Sequence, residues 1–513
     1  MEKQERIDEL KQLKEKNLQM GGPERIARQH QLGRLTARER IEKLFDAGTF
    51  QEEGLLLQSM MPDKDGKITH INEVGGSGKI NGRIAIAHAD DTTSHTPGMR
   101  AGTQQPRGLS AKLYPELCHP VIHLADSGDL NSYLDLPGRW GTGNPTHALT
   151  GLRQVPHVTA IMGDCIGIPA MEVITADFVV QVKGTTMGLY DPRMLAVQLE
   201  DGIKPEELGG WKQHSEVTGE VDAVADNEEQ CLQIIRDFLS YMPRNANEEP
   251  PAQATSDPAD RKLDRLMSII PDKPIRVYDQ YQVIKQIVDD GRYLSIKPNW
   301  GKTLITCLAR MNGRVVGIIA NQTLYNAGAA GPDECDKATD FIILCDTYNI
   351  PLIFLADTPG HLVGKPAEQK RIPTKIMIWM EAMGFATVPK ICVIIRKAYG
   401  MAISNMCGPS CGPDYIAAMT TAEISFMSPE AAANVVYLRR IESSPNPAEE
   451  RAKLIHQMEL ESAPFPAAQV GLLDDVIDPR DTRKYIIDRL EYLRKCKGDF
   501  VSDHRLENWP TGL

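Results

Sequence analysis

The chain repeats itself. Asn81-Gly82-Arg83 returns as Asn312-Gly313-Arg314, and Leu124-Ala125-Asp126-Ser127 returns as Leu355-Ala356-Asp357-Thr358, each 231 residues on (81 to 312, 124 to 355). Two further pairs follow slightly out of step: Val155-Pro156 with Val388-Pro389, and Cys165-Ile166-Gly167 with Ala398-Tyr399-Gly400. Short motifs match by chance easily, but not in order and in register. A repeat of this kind restricts the fold to two copies of one αβ unit. Each copy leads an apolar strand-like run to a small-residue turn, then to a Gly that opens a helix. Two such Gly turns predict two similar half-sites in a pseudo-symmetric protein.

Size agrees with duplication. A chain of 513 residues is too long for one core and fits two domains. The composition, 42% hydrophobic and 25% charged, is that of a soluble globular protein. A net charge of −12 argues against nucleic acid or an anionic membrane as the main partner, while leaving room for a local basic pocket. The charged start Met1-Glu2-Lys3-Gln4-Glu5-Arg6 leads into no apolar segment, so no secretory signal is expected, and no apolar run is long enough to span a bilayer. The ten cysteines are scattered without a CxxC pair. That pattern predicts reduced thiols in a cytoplasmic enzyme and no metal site.

Local signals place the elements. Residues 3–20 carry Leu and Ile at helical spacing among charges, predicting an exposed amphipathic helix. Thr36-Ala37-Arg38-Glu39 is a capping-box pattern that starts a helix running to about Phe45. Strands are expected at Ile84–His88, Val121–Leu124, Val158–Met162 and Phe178–Val182, and again at Val315–Ala320, Pro351–Leu355, Ile391–Ile395 and Ala422–Met427. Their alternation with helical stretches favours crossover connections over hairpins. The segment from Pro243 to Pro258 is rich in Pro, Asn, Glu, Ala and Gln, so the expected division is 1–245, a linker at 246–262, and 263–513. Residues 480–497 predict a closing helix with Tyr485, Ile486, Leu490 and Leu493 on one face.

Several longer motifs are recognisable. The run from Gln29 to Ile41 (QHQLGRLTARERI), closing with Phe45-Asp46-Ala47-Gly48-Thr49-Phe50, resembles the start of the carboxyltransferase (β) subunits of biotin-dependent acyl-CoA carboxylases. Glu206-Glu207-Leu208-Gly209-Gly210 with His214 and Gly219, Ala309 to Arg314, Arg396-Lys397-Ala398-Tyr399-Gly400, Pro464 to Ala468 and Asp474 to Ile477 extend the likeness from about Arg25 to Arg483. The resemblance implies an α/β fold of two duplicated crotonase-like domains, the first on the acyl-CoA side and the second on the biotin side. It also implies a homo-hexamer, or a heteromer with a paralogue, whose active sites join the first domain of one subunit to the second of its neighbour.

The chemistry so implied stabilises two anions in turn: the enolate of the thioester and the ureido oxyanion of biotin. Backbone N–H pairs at helix N-termini suit both. By resemblance Gly167-Ile168 serves the thioester, while Gly400, Met401 and Ala402 serve biotin. Ser127, Gly128, Asp129, Asp164 and Glu172 are expected around the acyl-CoA, and Pro359, Gly360, His361 and Lys397 around biotin. The sequence departs from the family at both turns. The family pairs glycines where Gly167-Ile168 and Gly400-Met401 stand; Pro169 removes the next N–H; and Asp-x-Pro-Gly-Phe becomes Asp357-Thr358-Pro359-Gly360-His361. Asp129, Asp164, Glu172 and His361 thus put ionisable groups at mostly neutral family positions. Each is a general acid or base if held near the enolate with a shifted pKa, and otherwise a solvated or structurally paired charge. His30 and His214 match family positions and read as structural hydrogen-bonding groups.

No Ala-Met-Lys-Met biotinylation sequence, Gly-rich ATP-binding stretch or four-Cys zinc ribbon is present. Biotin would therefore be carried by a separate protein, with a biotin carboxylase and a carrier protein as partners in trans and a coenzyme A thioester as substrate. Two other readings stay open: a biotin-independent acyl-CoA decarboxylase, hydratase or hydrolase on the same scaffold, and a non-catalytic partner subunit.

Overall fold

Each half of the chain opens its sheet with the same hairpin. Asn81 and Gly82 have φ of 51° and 78°, and Asn312 and Gly313 have 51° and 79°. Positive φ at both central residues is the mirror-image turn that matches strand twist, and Asn-Gly is the dipeptide that adopts it at least cost. The repeated Asn-Gly-Arg is therefore a two-residue hairpin loop, closed by Ile80 opposite Arg83 and Met311 opposite Arg314. The strands expected from the sequence pair in parallel and are joined by crossovers, while the hairpin partners Glu73–Ile80 and Leu304–Met311 are not among them.

The computed structural model describes residues 3–58, 73–94, 118–126, 153–191, 195, 204–409, 411–497, 500–507 and 509. They fall into two compact units, Met1–Ala246 and Asn247–Thr511. In the first, the strands are β1 (Gln51–Glu53), β2 (Glu73–Ile80), β3 (Arg83–Asp90), β4 (Val121–Ala125), β5 (His157–Ile161), β6 (Asp164–Ile166), β7 (Phe178–Val182), β8 (Thr186–Gly188) and β9 (Ala223–Ala225). In the second they are β10 (Tyr293–Ile296), β11 (Leu304–Met311), β12 (Arg314–Asn321), β13 (Leu352–Thr358), β14 (Lys390–Tyr399), β15 (Tyr415–Met419), β16 (Glu423–Ser425) and β17 (Asp475–Ile477). The sheet orders are β1-β2-β3-β4-β5-β7-β9 and β10-β11-β12-β13-β14-β15-β17. In both, the first three strands are antiparallel and the rest parallel. The short pair β6–β8 in the first unit corresponds to the end of β14 with β16 in the second. The two halves share one topology.

The expected strand at Ala422–Met427 divides differently. Tyr415–Met419 enters the main sheet beside β14, and only Glu423–Ser425 pairs with the end of that strand. A tight turn separates them, with Ala422 N donating to the carbonyl of Met419 and Thr421 Oγ1 to that of Ile395. An apolar run of that length conceals the turn, because the Thr pair that makes it is itself strand-compatible.

One face of the second sheet holds the apolar core. Alternate residues Ile305, Cys307, Ile353, Leu355, Val393 and Ile395 meet Val283, Ile284 and Ile287 of the helix Gln280–Ile287 and Ile486 and Leu490 of the helix Thr482–Lys497. The period of two in the strands and of three to four in the helices puts these positions on facing surfaces. Tyr485, Ile486, Leu490 and Leu493 of the closing helix are all buried, as its spacing predicts. In the first unit the helices Ala37–Leu44 and Glu228–Tyr241 have the corresponding places in chain order, with Ile41, Leu44, Ile235 and Phe238 buried. Thr36 caps the former helix as expected: its hydroxyl accepts from Glu39 N, while Glu39 Oε2 accepts from Thr36 N at 2.7 Å. The segment 247–262 has neither helix nor strand, yet it is fastened to the second unit. Gln253 N donates to the carbonyl of Gly313 at 2.8 Å, and Arg483 Nε to that of Pro258 at 3.0 Å.

Candidate active site

Two Gly turns occupy matching places in the two units. Gly167 follows β6 with φ of 76° and opens the helix Ile168–Val173; Gly400 follows β14 with φ of 59° and precedes the helix Ala402–Asn405. Gly167 N donates to the carbonyl of Gly188 at the end of β8, and Gly400 N to that of Ser425 at the end of β16. Positive φ favours Gly at both, since an L side chain there costs about 1–2 kcal/mol. Space differs between them. A Cβ on Gly400 would lie 3.2 Å from the carbonyl oxygen of Phe426, whereas one on Gly167 meets nothing closer than Leu189 O at 4.0 Å.

Around the first turn, Met171, Leu189 and Tyr190 are exposed. Pro169 sits in the first helical turn, where a missing N–H breaks no helical bond but leaves one fewer donor for a ligand. Asp164 begins β6, half-buried and paired in the strand register with Thr186, so it stands on the strand that leads into Gly167. Ile168 and Glu172 are placed by backbone only, in the helix Ile168–Val173. Ser127, Gly128 and Asp129 lie outside the described residues. His214 bridges Glu220 Oε2 at 2.7 Å and the carbonyl of Met187 at 2.9 Å, tying the segment Gln213–Thr218 to β8. His30 binds Glu39 Oε2 at 3.0 Å, on the cap of its neighbouring helix.

The second turn is held from beneath by a buried carboxylate. Asp357, fully buried at the end of β13, accepts from Tyr278 OH at 2.9 Å, Arg396 Nε at 2.9 Å and Lys397 N at 3.2 Å, with Lys397 Nζ 2.9 Å away. Its own N–H donates to Asn321 Oδ1. Arg396 also donates to the carbonyls of Lys273 and Arg276 and stacks over the Tyr278 ring at 4.6 Å. Burial pushes the Tyr278 phenol well up, with the Asp357 charge adding to the effect. Lys397 is thus turned to Asp357, buried, three residues before Gly400. The matching Asp126 of the first unit is also buried, 3.1 Å from Arg40 Nη2, which binds Glu228 Oε1 at 2.6 Å as well.

On the surface of the second turn stands Met401, 60% exposed, while Ala402 is buried. The N–H groups of Met401 and Ala402 precede any acceptor in their own helix. Tyr399 donates to Glu423 Oε2 across the β14–β16 pair, and burial holds both groups above their ordinary pKa. Pro359, Gly360 and His361 form the loop after β13, half-buried, with Gly360 N on Thr358 Oγ1 and His361 bridged to Ala330. Burial lowers the His361 pKa, and Asn405 partly offsets it. Among the described residues no group of three His, Cys, Asp or Glu could hold a metal ion. Sequence reading missed Tyr278, Glu423 and Asn405 at this site, and gave Asp357 no role although its Leu-Ala-Asp repeat was visible.

Two mixed sheets of one topology, in units that each lead a strand into a Gly-opened helix, define a duplicated crotonase-like α/β protein. A sequence profile described as the carboxyl transferase domain matches residues 28–506, and the chain belongs to that family. It is 34% identical to a methylmalonyl-CoA decarboxylase subunit alpha of Propionigenium modestum over 95% of this chain and 96% of that one. It is also 34% identical to a propionyl-CoA carboxylase carboxyltransferase subunit of Haloferax mediterranei, over 99% of this chain and 100% of the other. Among solved structures, the transcarboxylase 12S hexamer crystal structure with methylmalonyl-coenzyme A and methylmalonic acid bound aligns with a TM-score of 0.88 and 31% identity, covering 96% of each chain.

Proposed function

We propose that this enzyme moves a carboxyl group between carboxybiotin, borne by a separate carrier protein, and the α (or vinylogous) carbon of an acyl-CoA. The observation that carries the reading is the matched pair of Gly turns at 167 and 400, each closing a strand-to-helix junction at the N-terminus of a helix. The Gly167 turn receives the thioester oxygen, where the Ile168 N–H stabilises the enolate as the α-proton leaves. The Gly400 turn receives the ureido oxygen, with the Met401 and Ala402 N–H groups bearing its negative charge once the carboxyl has departed. Asp164 and Glu172 belong to the acyl-CoA half-site, as do Ser127, Gly128 and Asp129. Pro359, Gly360 and His361 belong to the biotin half-site, and Lys397 orders it through Asp357. The carboxylase and decarboxylase subunits among its relatives support acyl-CoA as the substrate class and leave both directions of transfer within reach. The hexamer named for transcarboxylase 12S supports a hexamer here, completed by a biotin carboxylase and carrier protein in trans. No helix among the described residues is long and apolar enough to cross a membrane, and a cytoplasmic site of action fits the reduced cysteines.

The test is a panel of CoA thioesters given to the purified protein with biocytin, with and without a biotin carboxylase system, and read by mass spectrometry. Carboxyl exchange that depends on biocytin bears out the reading. Thioester turnover without any biotin compound points instead to the biotin-independent decarboxylase.

A further inference from the structure

Two complementary polar atoms at the second turn are buried without partners. His361 Nε2 and Asn405 Oδ1 each make no hydrogen bond, while Asn405 Nδ2 is already spent on the carbonyl of Ile376 at 3.1 Å. Asn405 is 1% exposed. His361 lies just beyond β13, and Asn405 ends the helix opened by Gly400 just beyond the neighbouring parallel strand β14. The helix Ala402–Asn405 packs against β13, and Asn405 works against the burial that lowers the His361 pKa. An unpaired buried donor or acceptor costs about 1–3 kcal/mol, so a ring setting that joins the two is favoured.

We infer that His361 Nε2–H donates to Asn405 Oδ1, and that this pair fixes the imidazole so that Nδ1 is a lone-pair acceptor presented to the biotin half-site. The tautomer follows from the partner: an amide oxygen can only accept, so Nε2 must carry the proton and Nδ1 must not. Nδ1 is not among the buried side-chain atoms left without a partner. An acceptor there fits a ligand that offers an N–H beside a carbonyl, which is the edge of a urea ring before it is carboxylated. The carbonyl of that ring would face the Met401 and Ala402 amides. Phe at position 361, the residue of the resembling family, can make neither contact, so the device belongs to this chain. Asn405 acts through His361 and is a positioning residue. The inference rests on the proposed use of biotin.

Biocytin binding by calorimetry and biocytin-dependent exchange kinetics test it on the full-length assembly, with His361→Phe, Asn405→Leu, Asn405→Asp and the double variant His361→Phe/Asn405→Leu. His361→Phe should weaken biocytin about tenfold, the worth of one hydrogen bond of about 1.4 kcal/mol, with the KM for acyl-CoA unmoved. Asn405→Leu should weaken biocytin to a similar degree and the double variant no further, and Asn405→Asp, which sets a carboxylate oxygen against the carbonyl of Ile376 and favours the imidazolium, should not restore the binding. A His361→Phe effect below twofold, or additive losses in the double variant, overturns the inference. Biocytin that fails to bind the unaltered protein strikes the biotin reading instead. The pair is then judged by melting temperature alone: non-additive losses in the double variant uphold it, and additive losses refute it.

Discussion

Asp289 does for the Asn312-Gly313 turn what Asp46 does for Asn81-Gly82: its carboxylate accepts from both turn amides, at 2.9 and 2.7 Å, as that of Asp46 does at 3.2 and 2.8 Å. Each is held by an arginine from a later helix, Arg483 at 2.6 Å and Arg236 at 2.9 Å. Each also follows an eight-residue helix by two positions, Gln280–Ile287 and Ala37–Leu44. The duplication therefore extends upstream of the repeated motifs. It is carried there by contacts rather than by sequence.

The two carboxylates differ in burial, and stability should follow. Arg483 has a side chain with 0% exposure and would keep the more distant carboxylate of Asp257, at 3.8 Å, so Asp289→Ala leaves a buried guanidinium poorly paired and should cost about 3 kcal/mol. Arg236 is 21% exposed and can return to water, so Asp46→Ala should cost nearer about 1 kcal/mol. Denaturant midpoints of the two variants compare them directly. Equal losses would show that the turn amides, not the arginines, carry the effect.

Lys337 is a buried amine on the helix Pro332–Thr347, donating to the carbonyls of Trp300 at 2.9 Å, Gly301 at 3.3 Å and Leu304 at 2.7 Å. Burial lowers its pKa to about 7, against 10.5 for an exposed lysine. Between those values the unfolded chain binds more protons than the folded one, so this group adds stability as pH rises through that window. The stability of the protein relative to Lys337→Met should climb from pH 7 towards pH 10 by up to about 1.4 kcal/mol per unit. A flat difference over that range would show that the three carbonyls keep the ammonium charged.

Asp357→Asn removes the carboxylate that Tyr278, Arg396 and Lys397 share at the buried centre beneath the second turn. Two buried cations then lose the carboxylate they share, at a cost of about 3–5 kcal/mol. Thermal unfolding of Asp357→Asn should move far more than that of Lys397→Met, which leaves the Arg396 pair intact. A larger loss in Lys397→Met would mean that the lysine, rather than the carboxylate, organises the cluster.

Activity separates the two turns. Gly400→Ala adds a Cβ at positive φ, 3.2 Å from Phe426 O, and should slow exchange about a hundredfold, the weight of a displaced oxyanion donor of about 3 kcal/mol. Met401 is exposed, so Met401→Gly should leave folding intact and change biocytin kinetics only modestly. Ile168→Gly, which restores a family residue at the acyl-CoA half-site where Pro169, Asp164 and Glu172 also depart from the family, should change which thioesters turn over. The idea that the acyl-CoA side has diverged further is lost if Ile168→Gly leaves every thioester unchanged while Met401→Gly alters them.

The sequence by itself determined what is local or repeated. Thr36 and Glu39 are three residues apart, so their capping box could be read from spacing, as could the buried face of Tyr485, Ile486, Leu490 and Leu493. The repeat located Gly167 and Gly400, because a glycine needed at positive φ leaves a letter in the sequence. Other features have no local signature. Tyr278 meets Asp357 across 79 residues and Asp289 meets Arg483 across 194, and nothing in either neighbourhood names the partner. Burial makes those pairings obligatory, since a charge removed from water must find its counter-charge wherever the chain brings one. The same holds for His361 and Asn405, 44 residues apart in sequence, which follow the neighbouring parallel strands β13 and β14. Even the hairpins were written plainly as Asn-Gly, but the strands they join could be paired only once the sheet was assembled, because pairing is a relation between segments and periodicity a property of one.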